Sequence, residues 1–136
     1  MLTVTRTVEF CAAHRLFNPE WPDEKNLEVY GRCSNPGGHG HNYTLKVSVT
    51  GNYDKESGMV INVTKLRDIL QKEVVKKFDH KNLNDIDDFK NTVTTMEVIA
   101  LTISGNLRKP FSEAGIKLVK LELSESDKNT VTLEPK

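Results

Sequence analysis

The chain has 136 residues, 37% hydrophobic and 28% charged, which are the proportions of a soluble globular domain. Nineteen Lys and Arg balance nineteen Asp and Glu. That balance argues against the one-signed surface of a nucleic-acid or membrane binder. No apolar run reaches the length of a membrane span, no signal-peptide pattern opens the chain, and the two cysteines, Cys11 and Cys33, lie in unlike contexts. A disulfide framework is not indicated, and a single domain over 1–136 in a reducing, cytoplasmic setting is expected.

Residues 3–13 alternate as a strand with Val4, Val8, Phe10 and Ala12 on one face, and His14 closes it on the same parity. Residues 17–38, with Pro19, Pro22, Pro36 and Gly37-Gly38, read as a long excursion of the kind that usually serves function. A second strand covers 39–50, with Tyr43, Leu45, Val47 and Val49 on one face, and a third is expected at Met59-Val60-Ile61. Asn62 is suited to cap a helix over 63–78, in which Val63, Leu66, Leu70, Val74 and Phe78 follow helical spacing. A polar loop, Asp79 to Asn84, leads towards a second helix over 95–107 that is expected to stop before Pro110. Strands over 116–125 and 131–133 follow, the first placing Val119, Leu121, Leu123 and Glu125 on one face. Grouped helices among hairpin strands imply an α+β fold with a mostly antiparallel sheet.

The densest chemistry lies at Cys33 to Tyr43, where a thiol precedes His39-Gly40-His41 by six residues. Imidazole and thiolate are the side chains that bind zinc best. In a strand, His39 and His41 project from one face, with Gly40 leaving the backbone free to bend between them. His14, at the end of the neighbouring strand, could supply a third nitrogen. Three histidines would leave the open fourth position of a catalytic zinc, whereas Cys33 as a fourth ligand would close a structural site. Single strand histidines are more often hydrogen-bonded to backbone. The metal reading rests on their grouping.

Phe10-Cys11-Ala12-Ala13-His14-Arg15-Leu16, the stretch Cys33 to Tyr43, Gly58 to Asn62, Asp79-His80-Lys81-Asn82-Leu83-Asn84 and Glu125 occur in this order. Together they resemble the 6-pyruvoyl-tetrahydropterin synthase family, whose relatives include the 6-carboxy-tetrahydropterin synthases of queuosine biosynthesis. The resemblance implies a tunnelling fold: a four-stranded antiparallel sheet with two helices on one face, closed across subunits into a β-barrel in a homohexamer built as a dimer of trimers, with active sites between subunits. It implies zinc on His14, His39 and His41, and Cys33 as the proton-abstracting base with Asp79 and His80 in support. Glu125 would hold the pterin ring, with Glu97 and Thr95 as further contacts. The implied reaction takes 7,8-dihydroneopterin triphosphate to 6-pyruvoyl-tetrahydropterin with loss of triphosphate, a lyase step of tetrahydrobiopterin synthesis. The five residues between Cys33 and His39 look like the biopterin branch, while Val98 after Glu97 is also seen in the queuosine branch.

The residue types suit that chemistry. A thiol becomes a base near neutrality when a nearby cation lowers its pKa. Asp79 beside His80 is a carboxylate–imidazole pair, although adjacent side chains often diverge and His80 could simply serve the helix C-terminus. Glu125 on an apolar parity needs a partner, and it either accepts the paired N–H donors of a pterin or turns to solvent. Thr94-x-x-Glu97 has the form of a capping box that would occupy Glu97 locally. Lys76-Lys77 with Arg15, Lys25 and Arg32 could meet a triphosphate or be plain solvated surface. A zinc module that binds a partner or nucleic acid is the reading from another class, and the neutral charge and single Cys/His cluster count against it.

Overall fold

A computed structural model describes residues 1–136. The strands are β1 (Val4–His14), β2 (His39–Thr50), β3 (Lys81–Asn82), β4 (Lys117–Ser126) and β5 (Asn129–Leu133). They form one open sheet in the order β3-β1-β2-β4-β5. The β1–β2, β2–β4 and β4–β5 pairs are antiparallel, and β3 lies parallel to β1. The helices are α1 (Asp23–Tyr30), α2 (Val63–Leu70), α3 (Lys76–Phe78) and α4 (Met96–Glu113). No helix is long and apolar enough to cross a membrane.

The expected four-stranded antiparallel sheet is thus a mixed five-stranded one. The additional strand comes from the polar loop after α3. The His80 N–H donates to the Cys11 carbonyl at 2.6 Å, and Lys81 and Asn82 then run beside Ala12 and Ala13. His80 turns the chain with a positive φ of 60°. The strand expected at Met59-Val60-Ile61 does not form. Its backbone is used in a local turn, where Asp54 N–H donates to the Met59 carbonyl and Gly58 N–H to the Asp54 carbonyl. Only Ile61 of the three is buried.

The core fills the space between one sheet face and the helices. Val8, Phe10, Tyr43, Leu45, Val47, Leu121 and Leu123 meet Leu66, Leu70, Val74 and Phe78 on one side, and Ile99, Ile103, Leu107 and Phe111 on the other. Each such burial stabilises by about 1.5–3 kcal/mol. Leu66, Leu70, Val74 and Phe78 recur every fourth residue. On a straight α-helix that row would drift by about 40° per step. Residues Gln71–Val75 form a π-helical turn between α2 and α3. Its wider turn takes up the surplus residue and keeps the row facing the sheet. Asn62 caps α2 as expected, its side chain accepting from Thr64 N–H at 2.9 Å. Val63 instead points to solvent.

Helix α4 runs past Pro110 rather than stopping before it. A proline costs the hydrogen bond of its own missing N–H, and burial of Phe111 one residue later keeps the final turn in place. The stop comes at Gly115, which has φ 71°. Its N–H donates to Ser112, and the Ile116 N–H reaches back to Phe111, a paired Schellman closure that needs the left-handed conformation glycine adopts freely. Within the 17–38 excursion, α1 is held by Asn26, whose side chain bonds to Asn18 and Trp21 backbone.

Candidate metal centre

The register of β1 against β2 sets His14 opposite His39 and Ala12 opposite His41. All three imidazoles therefore leave the sheet on its core face, at the end where the apolar packing stops. The small Ala12 side chain leaves room for His41. The ligating nitrogens of His14, His39 and His41 lie within 4.8 Å of one another. Their rings meet edge to face, with centroids 4.6–5.3 Å apart. The close approach depends on Gly38 rather than on Gly40. Gly38 has φ 71°, and a Cβ there would stand 3.0 Å from the His14 carbonyl oxygen, whereas one at Gly40 would meet ordinary contact distances.

The ring of His14 is fixed from behind. Its Nδ1 lies 2.8 Å from the Thr94 carbonyl, which can only accept, so Nδ1 carries the proton and Nε2 is left as the free lone pair. Tyr43 lies beneath as a fully buried floor, its hydroxyl 3.5 Å from the ring nitrogens of His14. Burial pulls His14 down to about 4, His39 and His41 push the same way, and the Thr94 carbonyl opposes them. Burial also lowers His39, with His41 adding and Glu125 opposing, and burial lowers His41. The cluster is neutral at physiological pH, the form in which imidazole ligates a metal. His41 Nε2 is buried without any hydrogen-bond partner. An unpartnered ring nitrogen beside two other imidazoles fits a metal ion well.

Glu125 does not turn to solvent. Its carboxylate oxygens lie 3.8 Å from His14 Nε2 and 3.7 Å from His41 Nε2. Strand alternation puts it on the face of the buried Leu121 and Leu123, and a β-bulge falls at this point: Ser124 pairs with Thr130 and Ser126 with Asn129, leaving Glu125 as the extra residue. Burial raises the Glu125 pKa, His39 opposes that rise, and Glu97 adds to it.

Cys33 sits half-buried in a 3₁₀ turn (Gly31–Ser34), its carbonyl accepting from Leu16 N–H at 2.8 Å. It is a free thiol and is not among the clustered ligand atoms. Asp79 and His80 do touch directly, contrary to the divergence common in adjacent residues, with Oδ2 to Nδ1 at 2.8 Å. Asp79 Oδ1 also accepts from Cys11 N–H at 2.8 Å. That bond and the one to His80 hold the Asp79 pKa below the usual carboxylate range. His80 is 82% exposed. No hydrogen bond or ion pair joins this pair to the three histidines of its own chain.

The capping box at Thr94 does not form. Thr95 is the N-cap of α4, accepting from Val98 N–H at 3.2 Å, while Thr94 is fully buried and its hydroxyl points to the Arg15 carbonyl. Glu97 is consequently free of capping and exposed. Three of the five candidate phosphate-binding cations have other partners. Lys77 pairs with Glu73 and Asp88, Arg15 binds the Ser34 carbonyl and covers Phe17, and Lys25 lies over Trp21. The buried Thr94 carbonyl and the Tyr43 floor were not singled out from sequence as parts of the site. Neither carries a local signal, since Thr94 lies 80 residues from His14 along the chain.

Among known families, 6-pyruvoyl tetrahydropterin synthase matches residues 3–136. The chain is similar to the 6-pyruvoyl tetrahydrobiopterin synthase of Drosophila melanogaster, with 40% identity over 130 residues, 95% of this chain and 77% of that one. The solved structure of the Caenorhabditis elegans 6-pyruvoyl tetrahydropterin synthase superposes with a TM-score of 0.89 at 37% identity, covering 99% of this chain and 96% of the other. A 6-carboxy-5,6,7,8-tetrahydropterin synthase of Bacillus subtilis is 36% identical over 85 residues, only 60% of this chain and 54% of that protein. The chain belongs to the 6-pyruvoyl tetrahydropterin synthase family and has its α+β fold.

Proposed function

We propose that this chain is a zinc-dependent carbon–oxygen lyase that converts 7,8-dihydroneopterin triphosphate to 6-pyruvoyl-tetrahydropterin with elimination of triphosphate. The observation that carries the reading is the cluster of three neutral histidines with Cys33 outside its ligand set, in a chain of this family. Zinc held by His14, His39 and His41 would supply Lewis-acid stabilisation of the oxyanion charge that develops on the substrate's hydroxyl oxygens. Cys33 removes the proton from the adjoining carbon. The Asp79–His80 pair serves proton transfer alongside it, the carboxylate fixing the imidazole tautomer. Glu125 accepts the paired N–H donors of the pterin ring, with Thr95 and the exposed Glu97 as further contacts.

The assembly belongs to the same reading: one tunnelling-fold domain over 1–136, its sheet closed with neighbours into a barrel, and a cytoplasmic homohexamer with active sites between subunits. Its support is the exposure of His80 away from its own histidines, which suits a pair that completes a neighbour's site. A structural zinc module would instead want Cys33 among the ligands. The second enzymatic reading, 6-carboxy-tetrahydropterin synthase, is favoured by Val98 after Glu97 and by the Bacillus subtilis match, though that match is partial. Mass analysis of the product made from 7,8-dihydroneopterin triphosphate separates them. The pyruvoyl product with triphosphate is expected. A carboxylated product with acetaldehyde would replace this reading with the second, and no conversion by zinc-loaded protein would end both.

A further inference from the structure

One carboxamide reaches both supports of His14. Asn84 Oδ1 accepts from Arg15 N–H at 2.7 Å, and its Nδ2 donates to the Arg15 carbonyl at 3.0 Å. The side chain thus pairs with Arg15 as a strand backbone would, extending the contact that β3 makes with Ala12 and Ala13. Arg15 is the residue directly after His14. The same Nδ2 lies 3.5 Å from Thr94 Oγ1, whose hydroxyl is 3.4 Å from the Arg15 carbonyl. Thr94 is fully buried, and its own carbonyl receives the Nδ1–H of His14. Asn84 is itself anchored, its N–H bonded to the Asn82 side chain at 3.0 Å.

We propose that Asn84 is a positioning residue of the three-histidine centre: its carboxamide locks the strand end that carries His14 to the Thr94 segment that sets the His14 tautomer. It touches neither metal nor substrate. Its effect is that His14 presents Nε2 to the other histidines before any ligand arrives. Outer partners that fix the tautomer of a ligating histidine typically shift metal affinity about 10–100-fold when removed. Without Asn84, only the long Thr94 hydroxyl contact to the Arg15 carbonyl and the His14 bond itself join the two segments. The Thr94 carbonyl is then held less firmly, and the proton of His14 can move to Nε2, the atom that must ligate. The proposal rests on the metal reading of the cluster, but its first readout needs no metal.

The test compares full-length wild type, Asn84→Ala and a core control, Ile103→Val, which thins the packing without touching the site. Nitrogen-15 imidazole shifts of chelator-treated protein report the tautomer of His14, and competition with a chelating dye gives the zinc dissociation constant. Wild type and Ile103→Val should show one Nδ1–H tautomer at His14. Asn84→Ala should show a mixture and bind zinc about 10–100-fold more weakly. Asn84→Ala retaining the single Nδ1–H tautomer would overturn the proposal, as would an equal loss of zinc affinity in Ile103→Val. A wild type that shows the single tautomer yet binds no zinc would refute the metal reading instead, leaving the tautomer comparison to judge Asn84.

Discussion

At the scale of single residues, the site is built from burial. His14 is 1% exposed, and without a metal its folded pKa is held at about 4 against an ordinary 6.5. The sign of the consequence follows. Below 6.5 the unfolded chain takes up a proton at this position that the folded chain refuses until about 4. Stability due to this group is fully present above 6.5 and is lost as pH falls through that window, on the order of 3 kcal/mol in all. Denaturant midpoints of metal-stripped protein between pH 7 and 4 should therefore fall more steeply in wild type than in His14→Gln. Parallel curves would show that His14 is not held neutral. The unpartnered Nε2 of His41 makes a companion point, because a buried polar atom without a partner costs free energy until something is bound to it. Zinc should accordingly raise the melting temperature of wild type, and should do so far less in His41→Ala.

At the scale of elements, position is set by irregularities more than by regular structure. The bulge at Glu125 and the π turn before Phe78 each shift a register by one residue, and the glycine stop fixes where α4 ends. Gly115→Ala should cost about 1–2 kcal/mol, the penalty of a Cβ in the left-handed region, with the sheet and zinc binding intact. A denaturation midpoint unchanged from the parent would mean that the Schellman closure is not what ends α4. What was legible in the sequence divides along the same line. His39 and His41 were legible because strand parity is local, and β1, β2 and the apolar row from Leu66 in α2 to Phe78 in α3 because periodicity is local. The two-residue β3 was not, since its pairing is fixed by a carbonyl of Cys11 and a positive φ at His80 rather than by any pattern of its own. The sequence predicts an early end to α4 because the proline rule is local while the burial of Phe111 is not. Asn84 lies in a motif and Thr94 in a capping pattern, but neither pattern points to their partners Arg15 and His14, which lie 69 and 80 residues away.

At the scale of the whole molecule, the sheet is open at both sides. β3 covers only Ala12 and Ala13 of β1, and β5 has no neighbour beyond it. Long unpaired edges are liabilities that proteins cover, and closing the sheet with further copies would cover both. On the proposed assembly, light scattering at micromolar concentration should give a hexamer. A stable monomer would contradict it and would leave His80 and Asp79 with no neighbouring site to serve.

The proposal stands or falls on the division of labour between the histidines and Cys33. The decisive measurement is zinc content and turnover of Cys33→Ala, on one preparation beside wild type. A base that stands outside the ligand set should be dispensable for metal, so zinc should stay at the wild-type level. Formation of the pyruvoyl product should fall by about 10²–10⁴-fold, the usual contribution of a general base. Loss of zinc together with stability would make Cys33 a fourth ligand of a structural site and contradict the proposal.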